Sequence, residues 1–232
     1  QPSAYEIAVD DGDAGFSSVG SWTAVTSGWS RGCSGYSGDA RWTYTRNPSF
    51  GNDSYWARWT PTIAEAGWYQ VWVFWPGIAN ATVDTASARY KVHAASGDQT
   101  ITVSQINQWC QWIYLGTHRF DAGQGGNVYL GDYTGGENPQ RGITADVVRF
   151  VQQLPSTPDL YAITNTDYDE NYTVDWSDVD GAAQGFVLRE WNGSSWSEIS
   201  YPMVSYQNFS NHAVGDYCYM VAGRNSSGYG NW

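Results

Sequence analysis

The sequence predicts an all-β protein made of two β-sandwiches. Apolar and polar residues alternate along short segments throughout the 232-residue chain, which is the pattern of strands with one buried face. Glycine-rich turns separate these segments, at 97–98, 123–126 and 135–136. No stretch has the spacing of apolar residues that an amphipathic helix needs.

The first part of the chain has five clearly alternating segments. Each combines β-branched or aromatic residues with polar residues at every second position, as in YQVWVFW and ARYKVH. The predicted strands are 69–75, 88–93, 99–103, 127–130 and 146–151.

A proline-containing segment divides the chain. Residues 152–157 (QQLPST) show no alternation, and a second proline follows directly, so we expect a short and fairly stiff linker. The predicted domains are therefore a first module at 1–151 and a second module at 158–232. The marks of the second module are strand-like segments at 172–176, 185–191 and 217–222.

Composition argues against several classes of function. The formal charge is −12, from 23 acidic and 11 basic residues, and Lys91 is the single lysine. Such a chain repels nucleic-acid phosphates and anionic lipids, so we expect no nucleic-acid partner and no membrane insertion. No apolar run approaches the roughly 20 residues that cross a bilayer. No nucleophile elbow, phosphate-binding loop or histidine-rich metal motif occurs, so the sequence predicts no catalytic residues, no required cofactor and no enzymatic activity.

The aromatic residues are the main functional signal. The chain has 14 Trp and 17 Tyr against 7 Phe, and rings with a polar tip suit half-wet surfaces that stack on sugars or on neighbouring subunits. Trp residues in strand-like settings are predicted to be core, namely Trp22, Trp59, Trp72, Trp112 and Trp176. Rings and planar polar groups in loops are the candidate glycan-binding residues, namely Trp29, Tyr36, Tyr55, Trp56, Gln108, Trp109, Tyr133, Asn138 and Arg141.

The three cysteines are too few for a disulfide scaffold. Cys33 and Cys110 both lie in loop-like stretches rich in Gly, Ser or Gln, so we expect a disulfide between them. Cys218 alternates with two tyrosines and is predicted to be a buried strand thiol. Six Asn-x-Ser/Thr sequons permit glycosylation where a host has the enzymes, at Asn52, Asn80, Asn171, Asn192, Asn208 and Asn225.

Acidic loops suggest a structural calcium ion. Asp10, Asp11 and Asp13, beside Asp146 of a predicted strand, offer the hard oxygen ligands that Ca²⁺ takes. The run Asp167-Tyr168-Asp169-Glu170 is a second acidic cluster. The alternative for both clusters is that the acidic side chains only cap turns.

Residues 6–151 resemble the golvesin C-terminal-like domain, also called the xanthan-lyase carbohydrate-binding-like domain. The resemblance rests on Glu6–Asp11, Trp59-Thr60-Pro61, Gly67–Val71, Leu115-Gly116 and, most specifically, Ala145–Phe150. It implies a jelly-roll-like β-sandwich of the kind attached to secreted enzymes and surface proteins, with a glycan-binding role. The two loop cysteines and a longer loop at 133–142 depart from the family pattern.

Residues 158–232 resemble a fibronectin type III domain. Trp176 matches the core tryptophan of the second strand, and Tyr217 fits the tyrosine corner. The resemblance implies an immunoglobulin-like sandwich in which the chain stops at or just before the last strand. A sandwich without that strand has an open edge, which a neighbouring subunit could fill by strand addition, with residues 1–5 as a candidate donor.

Two functions from different classes follow. The first is a non-catalytic secreted protein that binds a polysaccharide or surface glycan through the loop aromatics of the first module. The alternative is a structural subunit that assembles with copies of itself outside the cell as a filament, sheath or surface layer. A start at Gln1 without Met fits a mature exported protein, although a piece cut from a longer chain begins in the same way.

Overall fold

The computed structural model describes residues 5–29, 32–78, 84–136, 141–163, 170–213 and 215–232. These residues form 18 strands and a single turn of 3-10 helix at Pro48–Phe50, with no α-helix among them. The predicted all-β fold is therefore confirmed. In the described part of the chain, no helix has the length and apolar character needed to span a membrane.

The chain forms two compact units. The larger unit consists of Glu6–Ala64 and Tyr69–Val151, and the smaller of Gln1–Tyr5, Glu65–Trp68 and Gln152–Trp232.

Twelve strands build the first sandwich. They are β1 (Glu6–Val9), β2 (Phe16–Val19), β3 (Thr23–Val25), β4 (Ala40–Tyr44), β5 (Trp56–Trp59), β6 (Gly67–Phe74), β7 (Ala88–Ala94), β8 (Gly97–Val103), β9 (Ile113–Phe120), β10 (Asn127–Gly131), β11 (Gly142–Ala145) and β12 (Val147–Gln152). They form a four-stranded sheet in the order β1-β12-β6-β9, a five-stranded sheet in the order β2-β5-β10-β7-β8 and a three-stranded sheet in the order β11-β4-β3. All five strands predicted from alternation in this region are present, with shifted ends.

One predicted turn is misplaced by two residues. Strands β7 and β8 pair antiparallel with Ala94 opposite Gly97, so the hairpin loop is Ala95-Ser96 rather than Gly97-Asp98. Gly97 has a φ of +105°, which glycine adopts without strain, and it begins β8 directly after the loop.

Strand β6 shows how this core is made. Tyr69, Val71 and Val73 are at most 1% exposed and point inward, where the Tyr69 ring meets Phe120 with a centroid distance of 6.0 Å. Burial of an apolar side chain of this size stabilises the fold by about 1.5–3 kcal/mol. The intervening residues are only partly buried, as the two-residue period of a strand requires.

The five tryptophans predicted to be core differ in how deeply they are buried. Trp59 and Trp176 are 1% and 2% exposed, which confirms the prediction for them. Trp22, Trp72 and Trp112 are only partly buried, so for these the prediction is wrong. Trp72 has the outward parity of β6, and alternation alone does not say which parity faces the core when both carry large apolar side chains.

Six strands build the smaller unit. They are β13 (Tyr172–Asp175), β14 (Phe186–Trp191), β15 (Trp196–Ser200), β16 (Tyr206–Phe209), β17 (Cys218–Asn225) and β18 (Gly228–Tyr229). Strand β13 pairs with β16, and a four-stranded sheet has the order β15-β14-β17-β18. The core contains Val174, Trp176, Phe186, Leu188 and Val221.

Two expectations for the smaller unit are corrected. A strand does follow β17, because the two-residue β18 pairs with Arg224 and Asn225, and the Gly230 amide donates to the Gly223 carbonyl at 2.9 Å. Cys218 is exposed rather than buried, since it is the first residue of β17 and precedes the strand's buried part. Of the candidate donor segment 1–5, residues 1–4 lie outside the described residues, and the Tyr5 amide donates to Ser227 Oγ within this unit.

Candidate functional site

An aromatic row lies on the outward face of the β1-β12-β6-β9 sheet. It consists of Tyr36, Phe74, Trp112, Trp72 and Tyr114, with Arg149 between the two tryptophans. Strands β6 and β12 supply Trp72, Phe74 and Arg149 through their outward parity. Tyr114 is the second residue of β9 and Trp112 directly precedes that strand, while Tyr36 comes from the loop before β4.

Contacts in the row are continuous. Trp112 lies 6.0 Å from Tyr36 and 5.5 Å from Phe74 between ring centroids. The Arg149 guanidinium lies 4.2 Å from the Trp112 centroid and 6.0 Å from that of Trp72, and Trp72 meets Tyr114 at 4.9 Å.

Both ends of the row are open to solvent. Tyr36 is 41% and Tyr114 46% exposed, while the rings between them are half-buried. The Arg149 side chain is 27% exposed and its Nη1 lies 3.8 Å from Glu6 Oε2. The exposed part of this guanidinium can donate to an incoming hydroxyl. The row is therefore an accessible strip of rings with a planar donor at its centre.

The predicted disulfide between Cys33 and Cys110 is confirmed, with a sequence separation of 77 residues. It joins the Tyr36 loop to the loop that carries Gln108 and Trp109. The Trp109 indole donates to Asp84 Oδ2 at 2.7 Å, and Trp29 makes an isolated bridge with Ile78. These loop residues are half-buried, and Tyr36 is the member of the two tied loops whose ring reaches the row.

An aromatic platform on the five-stranded sheet contains one predicted residue, Trp56, which lies on β5 rather than in a loop. Trp56 on β5 and Tyr129 on β10 lie 5.8 Å apart between ring centroids. Arg58 lies over both rings, at 4.9 Å and 5.8 Å, and Lys91 Nζ lies 4.9 Å from the Tyr129 centroid. All four side chains are half-buried.

Asp53 connects the platform to the loop after β10. Its Oδ2 accepts from the Tyr129 hydroxyl at 2.9 Å, and its Oδ1 accepts from the Tyr133 amide at 2.8 Å. Burial, followed by the hydrogen bond to Asp53, raises the pKa of Tyr129. Tyr133 in turn lies under Arg89 at 5.7 Å. Asp53 therefore engages the Tyr129 hydroxyl and the Tyr133 amide, while Arg58 Nε is buried without a hydrogen-bond partner among the described residues.

The remaining candidates lie apart from the row and the platform. Tyr55 packs against Gly20, where any Cβ would collide with its ring, and its carbonyl accepts from the Asp132 amide at 2.9 Å. The Arg141 amide donates to Thr45 Oγ1 at 3.2 Å, and its carbonyl accepts from the Thr45 amide at 2.8 Å. Asn138 lies outside the described residues.

The predicted calcium ligands are only partly brought together. One carboxylate oxygen each of Asp10, Asp11 and Asp39 lies within 4.8 Å of the others, and Asp146 lies against Asp10 and Asp11. Asp13 is placed differently, because its Oδ2 accepts from the Asp10 amide at 2.9 Å and closes the turn. In the second acidic cluster, residues 167–169 lie outside the described residues.

Burial dominates the electrostatics of these carboxyl groups. It raises the pKa of Asp11 to about 6, with a further increase from the Asp39 carboxylate and an opposing effect of Arg41. It also raises the pKa of Asp146 to about 9, against the hydrogen bond that the Tyr36 amide donates to Asp146.

The sequons differ in accessibility. Asn52, Asn171, Asn192 and Asn208 are exposed, and Asn80 lies outside the described residues. The prediction for Asn225 is wrong. This residue is 4% exposed and its Nδ2 donates to the Gln153 carbonyl at 2.8 Å, so the folded chain cannot carry a glycan there.

Sequence reasoning missed the sheet-borne members of the row and Asp39. Trp72 and Phe74 alternate with the buried Val71 and Val73, so this alternation was the available signal for two opposite aromatic faces. Asp39 is a single acidic residue in a Gly/Ser-rich loop, and nothing in the local sequence indicates its neighbours.

Known proteins match the region that contains these sites. The Golvesin C-terminal domain family matches residues 7–152. A xanthan lyase from Bacillus sp. (strain GL1) is 30% identical over 152 residues, which are 65% of this chain and 15% of the lyase. The solved structure of a Paenibacillus xanthan lyase matches with a TM-score of 0.51 and 27% identity, over 64% of this chain and 13% of that one. The chain thus spans a small fraction of the length of these lyases. By its match over more than half of its length, this chain belongs to the golvesin C-terminal domain family.

Proposed function

We propose that this protein binds a polysaccharide without cleaving it, and that the aromatic row is the principal contact surface. The observation that carries this proposal is the line of rings from Tyr36 to Tyr114 on the outer side of one sheet, in which Arg149 bridges Trp112 and Trp72.

Sugar chemistry matches this surface. A pyranose presents C–H groups on its faces and hydroxyls around its rim, so flat rings cover the faces while planar donors hold the hydroxyls. Half-buried tryptophans are already fixed in orientation by their neighbours, and little side-chain entropy is then lost when a sugar stacks on them. A strip of several rings suits a chain of sugars better than a single one.

The comparisons support the same class of ligand. The matched relatives are named as lyases of xanthan, a polysaccharide, and the matched segment is a minor part of each. A segment of this kind fits an accessory binding module. The disulfide fits an oxidising, extracellular location, where such a module would meet its polymer.

The loop candidates extend this proposal. Trp29, Gln108 and Trp109, which share the disulfide-linked region with Tyr36, would lengthen the strip at one end. Trp56 and Tyr133 belong to the platform region, where we assign a secondary role because Asp53 already accepts from the Tyr129 hydroxyl and the Tyr133 amide. Tyr55 lies apart from both surfaces and takes no part in the proposed contact.

For the second module we propose a fibronectin type III-like spacer. One observation favours the structural-subunit alternative: β18 pairs with two residues of the eight-residue β17. A neighbouring chain could extend that pairing. Negative-stain electron microscopy of the protein over a range of concentrations tests this, because ordered polymers would establish self-assembly and uniformly dispersed particles would exclude it.

The binding proposal is tested by affinity electrophoresis in gels that contain xanthan, with a neutral cellulose derivative as a second polymer. We expect retardation of the wild type by at least one polymer, and a drop in affinity of about tenfold or more for Trp112→Ala and for Trp72→Ala, because each removes a stacking ring. Trp196→Ala, a partly exposed tryptophan of the smaller unit, is the control and should be retained like the wild type. Equal retention of the row variants and the control would overturn the proposal.

A further inference from the structure

Three segments that are far apart in the sequence bring four carboxyl groups together in the larger unit. Asp10 and Asp11 directly follow β1, Asp39 directly precedes β4, and Asp146 is the single residue between β11 and β12. One oxygen each from Asp10, Asp11 and Asp39 lies within 4.8 Å of the other two.

The cluster is buried and its oxygens are incompletely bonded. Asp10, Asp11 and Asp146 are 5%, 2% and 1% exposed. The Oδ1 atom of each is buried and has no hydrogen-bond partner in the described part of the chain. Buried polar atoms are nearly always bonded in folded proteins, so unbonded oxygens on three neighbouring aspartates indicate a missing ligand.

The charge balance points to the same conclusion. Arg41 is the cation that meets this cluster, with Nε 2.9 Å from Asp11 Oδ2 and Nη2 3.2 Å from the Asp11 carbonyl. One guanidinium against the carboxylates of Asp10, Asp11 and Asp39 leaves a negative excess in a low-dielectric place, which a further cation would offset.

We propose that Asp10, Asp11 and Asp39, with Asp146 beside them, bind one Ca²⁺ ion. Calcium takes six to eight oxygen ligands at about 2.3–2.6 Å, so oxygens on opposite sides of the ion are roughly 5 Å apart, which agrees with the span of this cluster. Irregular loops and strand ends that contribute carboxylates and carbonyls suit its flexible geometry. Water molecules would complete the coordination.

The ion has a structural consequence for the aromatic row. The Tyr36 amide donates to Asp146 Oδ2 at 3.1 Å, and the Tyr36 ring packs on Trp112. A calcium ion that fixes Asp146 and Asp39 therefore fixes both ends of the short segment that presents Tyr36. The calcium proposal itself does not depend on polysaccharide binding.

The experiment uses the full chain after treatment with a chelator and its removal. Terbium is the probe, since it occupies calcium sites and luminesces when a nearby tryptophan is excited. Trp59, whose indole donates to the Asp146 carbonyl at 2.8 Å, would serve as that tryptophan. We expect terbium luminescence that Ca²⁺ displaces with a stoichiometry of one, and a rise in Tm of about 5–10 °C when Ca²⁺ is roughly 100-fold above its Kd.

The variant Asp39→Asn removes one carboxylate from a half-buried loop position and should weaken terbium and calcium binding by about tenfold or more. Asp121→Asn is the matched control, because Asp121 is exposed and paired with Arg119 outside the cluster. Wild-type protein that gives no displaceable terbium signal would overturn the proposal, whatever the variants do. So would equal displacement by Mg²⁺, or binding that Asp39→Asn leaves unchanged while circular dichroism shows a folded chain.

Discussion

In the aromatic row a guanidinium lies between two tryptophans whose neighbours are exposed tyrosines, whereas in the aromatic platform the cations lie over a tyrosine that a carboxylate already holds. Both surfaces are made by outward residues of neighbouring strands, and both combine rings with positive charge. Asp53 makes the difference, since it accepts from the Tyr129 hydroxyl and the Tyr133 amide and lies 3.6 Å from Lys91 Nζ. A ring and a cation in contact thus lie beside a hydrogen-bonded carboxylate in the platform and beside exposed tyrosine rings in the row.

Removal of the disulfide should have the largest effect. The double change Cys33→Ser and Cys110→Ser frees two loops 77 residues apart, and we expect a loss of about 2–5 kcal/mol in the free energy of unfolding. Polysaccharide retention should fall as well, because Tyr36 follows Cys33 by three residues. Urea unfolding and affinity electrophoresis measure the two effects.

The exposed Cys218 supplies the control for that change. Cys218→Ser should alter the free energy of unfolding by no more than about 0.5 kcal/mol. Equal stability of the double variant and this control would show that the linked loops contribute nothing to the fold.

Loss of Asp53 should break the platform and spare the row. Asp53→Ala leaves the Tyr129 hydroxyl and the Tyr133 amide without their acceptor, so we expect a loss of about 2–3 kcal/mol in urea unfolding. Retention by polysaccharide should not change. Asp98→Ala is the comparison, since that carboxylate is exposed and its pairing with His93 is worth less than about 1 kcal/mol. A variant that keeps its stability but loses retention would exchange the roles of the two surfaces.

A matched pair of arginine variants separates the surfaces most sharply. Arg149→Met and Arg58→Met each remove a cation from two rings, and each should cost about 1 kcal/mol of stability. We expect Arg149→Met alone to lower polysaccharide affinity, because its guanidinium lies in the accessible row. The readouts are chemical unfolding and affinity electrophoresis on the same preparations, and a loss of affinity in Arg58→Met would contradict the assignment.

The smallest effects concern single hydroxyls. Tyr129→Phe removes the bond to Asp53 and should cost about 1 kcal/mol, whereas Tyr114→Phe removes an exposed bond to Thr117 and should cost less than about 0.5 kcal/mol. Differential unfolding of the two variants in urea checks this order. If Tyr114→Phe were the more costly change, the row would be the more rigid surface and the comparison would be reversed.

The sequence was sufficient for the fold class because alternation is a local property. The eight predicted strand segments are present, and the disulfide followed from two cysteines in loop-like surroundings. Alternation does not reveal which of two apolar faces is buried, and Trp72 was therefore assigned to the wrong side of its strand. The platform forms because β5 and β10 are neighbours in their sheet, and no local sequence pattern reveals this strand order.

The candidate site could be predicted only in part, for a similar reason. Tyr36 and the first two aspartates were identified from their loop context. Asp39 was not, since its neighbours come from segments about 30 and 100 residues away in the chain. Cys218 was predicted to be buried because it belongs to an alternating segment. It is exposed because it is the first residue of β17, and alternation does not show where a strand leaves the core.

Lys91 has a practical consequence because it is the chain's single lysine. Its side chain is 38% exposed and belongs to the platform. Amine-reactive reagents therefore have one lysine side chain to modify besides the terminal amine, so a sensor surface or a fluorophore attached through a lysine would lie at the platform. Molecules immobilised through Lys91 would share one orientation and keep the Trp72 and Trp112 rings chemically unmodified.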